Sequence, residues 1–312
     1  MDDATFSSPA DLALLDLLRR LDGEGYEFVT PTPLTQARVV ARRRGQLGRG
    51  LRDILGWSLP FAQADAPPQL VASLEAAGVL TQAGSHLKSA IRVSRLHGRL
   101  YIHSAFPTDA EDAVFLGPDS YRFADFVARE LEPATTGRMV DVGGGCGVGA
   151  LVAAALAPDA ELLLTDINPL ALRYARLNAR HADVALATLL TDGLQDAPDE
   201  LGAVIANPPY MAASAQTYRD GGGPRGAKLS LDWARAALGK LSPGGRMLLY
   251  TGAAIADGHD ALHAALATLA ETEGAALAYR ELDPDVFGEE LERDAYADVE
   301  RIAVVGAILT RP

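Results

Sequence analysis

Cysteine is nearly absent: Cys146 is the only one in 312 residues. A lone thiol closes no disulfide within the chain and builds no cysteine cluster for zinc. Histidine is sparse too, and none of the six stands at a ligand spacing such as H-E-x-x-H. No metal site is expected. Long apolar runs are missing. The longest, VGALVAAALA, is far shorter than the roughly 20 residues of a bilayer-spanning helix. The opening MDDATFSSPADLALL is acidic and lacks the charged-then-apolar order of a secretory leader. A cytoplasmic protein with no membrane partner is the expectation. Positive charge is in deficit, with 28 Lys and Arg against 41 Asp and Glu and a net charge of −13. That balance argues against wholesale binding to nucleic acid or an anionic membrane.

What is present is a globular composition. Hydrophobic residues make up 48% of the chain, ample for a sizeable core, and the length suits one large domain with a smaller one. The charge is uneven. Segment 36–99 carries ten cations, from Arg38 to Arg99, against Asp53, Asp65 and Glu75. It is thus +7 and the remainder −20. Such asymmetry marks either a polyanion-facing surface or an ordinary solvated face.

Residues 1–110 read as a small, mainly helical unit. Ser8-Pro9 opens a helix that Gly23 ends, and a second runs from Pro33 to Arg44 with Gly45 as its stop. Shorter helical pieces fit GLRDILGW and PPQLVASLEAAG. AIRVSRLHGRLYIHSA then alternates around His97-Gly98 as a β-hairpin. A winged-helix-like module and a plain helical cap are both compatible with this order. From 111 to 312, strand patterns (RMVDVGGG, AELLLTDI, VALATLLTD, AVIANPPY, GRMLLYTG) alternate with helical ones, and AALAYREL and RIAVVGAILTR close the chain. That alternation predicts an α/β fold, a mostly parallel doubly wound sheet with helices on both faces. Ligands of such sheets sit at the carboxyl ends of the strands.

Three strand ends carry chemistry. MVDVGGGCGVGA places Asp141, Gly143, Gly145 and Gly147 at the spacing D-x-G-x-G-x-G. Glycine there lets the backbone turn tightly and lets a ligand approach, and the following helix points its amides at that ligand. Asp166 ends the second strand, where an acid accepts both ribose hydroxyls of a nucleoside. Capping the next helix is its competing role, although Asn168 already suits that cap. Asp192 ends the third strand. It suits a contact to an adenine amino group and equally a turn before Gly193. The fourth ends on Asn207-Pro208-Pro209-Tyr210.

These residues resemble the class I S-adenosylmethionine-dependent methyltransferases. VDVGGGCG is similar to their first motif, LLLTDINPLALRYARLNA to the second, TDGL to the third, and NPPY to the fourth motif of the amino-group N-methyltransferases. Within that class the glutamine methyltransferases of peptide release factors are the most alike, although the tract after NPPY is longer and richer in glycine here. The resemblance implies a Rossmann-like seven-stranded sheet of order 3-2-1-4-5-7-6, last strand antiparallel, behind a small mainly helical N-terminal domain ending in a β-hairpin. It implies S-adenosyl-L-methionine as cofactor and S-adenosyl-L-homocysteine as product. The cofactor residues it implies are Asp141, Gly143, Gly145, Gly147, Asp166, Ile167, Asp192 and Ser120, with Tyr121 beside Ser120. The competing reading is a plain helix start capped by Asp119 or Ser120.

The same resemblance assigns catalysis to Asn207, Pro208, Pro209 and Tyr210. The Asn207 side-chain carbonyl and the Pro208 main-chain carbonyl accept hydrogen bonds from a planar NH2 group, and Tyr210 stacks on it. The prolines fix φ and remove N–H donors, so the loop is stiff. The implied acceptor is a glutamine amide in a protein or ribonucleoprotein. An exocyclic amine of adenine or guanine is the alternative, reached through the basic segment. A nucleoside-binding regulator without catalysis and a Rossmann dehydrogenase are the readings from other classes. Residues 219–226, RDGGGPRG, read as a loop over the mouth, with Arg219 or Arg225 facing a phosphate or carboxylate.

Overall fold

The computed structural model describes residues 8–43, 45–133, 135–211, 221–222 and 224–312. The N-terminal part holds α1 (Pro9–Gly23), α2 (Pro33–Arg42), α3 (Pro68–Ala76) and two hairpins. These are β1 (Leu80–Ala83) with β2 (His86–Ser89), and β3 (Ile91–Leu96) with β4 (Arg99–Ser104). Local chemistry sets these limits. The Ser8 hydroxyl accepts from Asp11 N–H at the start of α1, and that of Thr32 accepts from Thr35 N–H at the start of α2. Both turn residues of the β3–β4 hairpin have positive φ, His97 at 46° and Gly98 at 76°, as a two-residue hairpin turn requires. The β1–β2 hairpin is an addition to the sequence reading. Its Gly84-Ser85 turn is a recognised two-residue hairpin signal.

The larger part begins with α4 (Pro118–Glu130) and continues β5 (Arg138–Val142), α5 (Val148–Leu156), β6 (Glu161–Asp166), α6 (Pro169–His181), β7 (Ala187–Leu190) and β8 (Leu201–Ala206). Then come α7 (Lys228–Lys240), β9 (Leu241–Ala256), the two-residue β10 (His259–Asp260), α8 (Ala261–Glu273), β11 (Ala276–Asp283) and β12 (Arg301–Thr310). The sheet runs β11-β12-β9-β8-β5-β6-β7, with β10 paired to β9. Counted from β5, that is the expected order 3-2-1-4-5-7-6. The four pairings from β9 to β7 are parallel, and β12 is antiparallel to both neighbours. The fold is α/β and Rossmann-like. Side chains alternate along each strand between two cores. Met139, Ile205 and Leu248 enter the larger, while Val140, Val204 and Leu249 enter the other. Both faces are covered, which is why the strands read as near-continuous apolar runs.

The larger core is continuous with the N-terminal part, taking in Leu14, Leu18, Phe28, Leu70 and Tyr101. Asn178 on α6 rivets the two. Its Oδ1 accepts from Ile102 N–H on β4 at 2.8 Å, and its amide donates to Ile102 O at 3.1 Å and Cys146 O at 2.9 Å.

The cations of the two hairpins turn toward protein groups, rather than to either the polyanion-facing surface or the solvated face that the segment's charge allows. Arg92 is 3% exposed, donates to Gly56 O at 2.8 Å and lies over the Phe28 ring. Arg95 pairs with Asp22 and Glu27. Arg99 donates to Leu151 O, and Lys88 to Phe106 O. Burial costs a cation its hydration, so each is met by carbonyls or carboxylates, which leaves it little use for a phosphate. Arg38, Arg42, Arg49 and Arg52 remain exposed.

Candidate active site

The carboxyl ends of β5, β6, β7 and β8 open into one cavity of about 840 Å³. After β5 the chain turns through Gly143, Gly145 and Gly147, all at positive φ (60°, 55° and 89°), which side chains rarely adopt. Gly143 is needed for space as well. A Cβ there would lie 2.5 Å from the Trp233 ring. Gly143 and Gly145 line the cavity, whereas Gly147 sits behind it as the residue before α5.

Asp166 fastens the glycine loop. Its Oδ2 accepts from Gly145 N–H at 3.0 Å and its Oδ1 from Asn168 N–H at 2.8 Å. Burial raises its pKa and these amide bonds work against that rise. Asn168 caps α6 by accepting from Leu170 N–H, so Asp166 is not that helix's cap and lines the cavity. Ile167 beside it is 71% exposed, an apolar side chain standing in the cavity wall. Asp192 and Gly193 line the far end, with Thr165 Oγ1 donating to Gly193 O at 2.8 Å. Trp233 of α7 packs against both Gly143 and Gly193. Its place in the cavity wall was not foreseen.

Asp141 is 3% exposed. Its Oδ2 accepts from Ala150 N–H at 2.7 Å, while its Oδ1 has no hydrogen-bond partner among the described residues. Desolvation, with the nearby Asp166 charge, pushes its pKa up to about 7.

The fourth strand end meets α4. Asn207 Nδ2 donates to Asp119 Oδ2 at 3.3 Å. The hydroxyls of Tyr210 and of Tyr250 on β9 donate to Asp119 Oδ1 at 2.8 and 2.7 Å. Burial raises the pKa of Asp119 and the three donors oppose that rise. Asp119 was legible only as a possible helix cap. Ser120 lines the cavity and also accepts from Gly117 N–H at 3.2 Å, so it reaches the site while bracing the start of α4. Tyr121 turns away, its hydroxyl accepting from Thr30 N–H. Tyr210 is 7% exposed. Its ring packs on Gly252, where a Cβ would come 2.3 Å from Cδ2, and edge-on against Phe287. Little of its face is left for stacking, and its hydroxyl is an anchor. Arg219 lies outside the described residues. Arg225 pairs with Asp298. No group of three His, Cys, Asp or Glu among the described residues is placed to hold a metal ion.

A family model, the methyltransferase small domain, matches residues 114–272, just over half of the chain and the whole span of these strand ends. The chain belongs to the methyltransferase small domain family. Among its relatives, a release factor glutamine methyltransferase of Moorella thermoacetica is 29% identical over 219 residues, covering 64% of this chain and 76% of that protein. One from Cereibacter sphaeroides is 36% identical over 139 residues, covering 39% and 49%. A ribosomal RNA small subunit methyltransferase C of Hahella chejuensis is 33% identical over 112 residues, covering 36% and 30%. The chain therefore spans less than half the length of the last two. Among solved structures, M. jannaschii TYW2 in complex with AdoMet has a TM-score of 0.49 at 14% identity, covering 75% of this chain and 93% of that one. A T. thermophilus 16S rRNA methyltransferase in complex with AdoMet and guanosine has a TM-score of 0.46 at 14% identity, covering 81% and 64%.

The cofactor of this methyltransferase is S-adenosyl-L-methionine, and the residues present fit it. Both Asp141, one of whose oxygens has no partner among the described residues, and Asp166 line the cavity, and their carboxylates would suit an ammonium group and ribose hydroxyls. The raised pKa of Asp141 has a measurable consequence. Without ligand the carboxyl is largely protonated at about pH 6. An ammonium beside it favours the ionised form, so binding releases a proton. The enthalpy of S-adenosyl-L-homocysteine binding should therefore depend on the ionisation enthalpy of the buffer at about pH 6, and this dependence should fade above about pH 8. Asp141→Asn should abolish it.

Proposed function

We propose that this methyltransferase acts on a planar amino nitrogen, and that the nitrogen is the side-chain amide of a protein glutamine. One observation carries the reading. Asn207 and Pro208 line the same cavity as Asp141, Gly143 and Asp166, so acceptor-holding and cofactor-holding groups share one space. S-adenosyl-L-methionine, when bound, supplies an electrophilic methyl group on a sulfonium leaving group.

The chain's own residues supply position. An amide nitrogen is a poor nucleophile because its lone pair is delocalised. The Asn207 Oδ1 and the Pro208 carbonyl are two acceptors for its N–H groups. Held by both, the nitrogen gains tetrahedral character and its lone pair is aimed. Pro208 and Pro209 bring no N–H of their own to compete for these carbonyls. As positive charge grows on the nitrogen, both acceptors stabilise it. Orientation is the main source of rate in such a site.

The cavity wall favours a protein over a nucleic acid. Glu111, Asp232, Asp285, Glu289 and Glu290 line it, against Arg122 and Lys228. Both cations are engaged, Arg122 with Asp283 and Lys228 with Asp232, and of the acids Glu290 pairs with Arg293, so acid still exceeds base along the wall. A phosphodiester backbone would meet repulsion there. The relatives named as release factor glutamine methyltransferases support the same branch. An exocyclic base amine is the second reading, favoured by the exposed Arg38, Arg42, Arg49 and Arg52.

Transfer of a tritiated methyl group to extract from a strain lacking the gene separates them. Label in the protein fraction is expected. Label in RNA would move the conclusion to the second reading, and label only in small molecules would defeat both.

A further inference from the structure

We infer that Asp119 is the positioning residue that sets which end of the Asn207 amide faces the methyl acceptor. The inference rests on the N-methyltransferase reading above. A side-chain amide has two ends of nearly equal size and opposite function. Its NH2 donates and its carbonyl accepts. Rotated by half a turn, Asn207 would present donors to the incoming amino group and repel it. The motif alone does not choose between the two, because Pro208 and Pro209 have no N–H to hold the Asn207 carbonyl.

Asp119 makes the choice. An ionised carboxylate only accepts, so it takes the NH2 end of Asn207. The Asn207 carbonyl is left to the cavity that Asn207 lines. Three donors favour that form against the effect of burial, the Asn207 amide on Oδ2 and the two phenols on Oδ1. They come from three places, so the carboxylate is fixed in direction as well as charge. Tyr210 belongs to the motif and rests on Gly252. Tyr250 stands on β9, with its ring centroid 5.8 Å from that of Phe123 on α4. Asp119 itself is in the first turn of α4 and 8% exposed. Its neutral isostere reverses the logic. An amide at 119 accepts from the phenols through its oxygen and donates to Asn207 through its nitrogen. Asn207 must then turn its carbonyl toward 119 and its NH2 toward the cavity.

The test compares wild type, Asp119→Asn, and the exchange Asp119→Asn with Asn207→Asp, in the full chain. Labelled methyl transfer to extract gives the rate, calorimetry with S-adenosyl-L-homocysteine gives cofactor affinity, and a thermal melt checks folding. Asp119→Asn should lower transfer by about 100-fold, the scale of losing one oriented polar group in a site. Its S-adenosyl-L-homocysteine affinity should stay within about twofold of wild type. The exchange should recover roughly tenfold or more. A carboxylate at 207 shows an acceptor oxygen however it is turned, while the amide at 119 donates to the other oxygen. A merely structural carboxylate would not give that recovery. Transfer by Asp119→Asn within about threefold of wild type, or an exchange no better than the single variant, would overturn the inference.

Should wild type transfer no methyl at all, the N-methyltransferase reading fails, and the orientation is read without turnover. In protein labelled with nitrogen-15 at asparagine, the Asn207 side-chain signals should move in Asp119→Asn and in no control variant on α4 away from the site. Signals that stay in place would overturn it.

Discussion

Replacing Asn207 by alanine is expected to cut methyl transfer by about 10³-fold while S-adenosyl-L-homocysteine affinity stays within about twofold. The split follows from where Asn207 stands. It lies at the end of β8, its only side-chain hydrogen bond among those described runs to Asp119, and the glycine loop makes none to it. Removing it takes away one of two acceptors for the target nitrogen and leaves the cofactor groups in place. Asp119 keeps both phenols, so the α4 start stays anchored. A rate loss with matching loss of affinity would mean that the alanine had collapsed the cavity. An unchanged rate would remove Asn207 from the mechanism.

Asp166→Ala should show the opposite pattern. Its carboxylate accepts from Gly145 and Asn168 N–H and lines the cavity. Truncation removes the proposed ribose acceptor and also the carboxylate that accepts from Gly145 N–H in the glycine loop. Each charge-assisted bond lost costs about 1.5–3 kcal/mol, so S-adenosyl-L-homocysteine affinity should fall by about 100-fold or more. Asp166→Asn retains an acceptor and should fall between. Calorimetry on the three proteins decides the matter, with a melt to check folding. Undiminished affinity in Asp166→Ala would place the nucleoside elsewhere.

Much of the sheet was legible because its signals are local. The switch between strand and helix patterns, the Ser8-Pro9 start and the Asn168 cap gave element order directly. The strand-end residues were legible for the same reason, since glycine spacing and a terminal acid are read within a few positions. What failed to show was pairwise and distant. Asp119 lies 88 residues from Asn207 in sequence and 131 from Tyr250. Its sequence neighbours make it look like a cap. Arg92, Arg95 and Arg99 look like surface charge because the carbonyls and carboxylates that absorb them lie on other elements. The contact of Trp233 with two glycines exists only once α7 is docked.

The same limit explains Tyr210. A tyrosine after two prolines reads as a free aromatic face. Only the folded chain sets its hydroxyl on Asp119 and its ring on Gly252. Its contribution is to hold the loop still. The cavity's charge is likewise a property of assembly, since its acids come from segments as far apart as Glu111 and Glu290.

The claim that most needs a direct answer is the identity of the methylated atom. Tandem mass spectrometry on the labelled product locates the added methyl group. A single methyl on a planar nitrogen, in the first instance a glutamine side-chain amide, is the predicted result. A methyl on carbon, oxygen or sulfur would contradict the account.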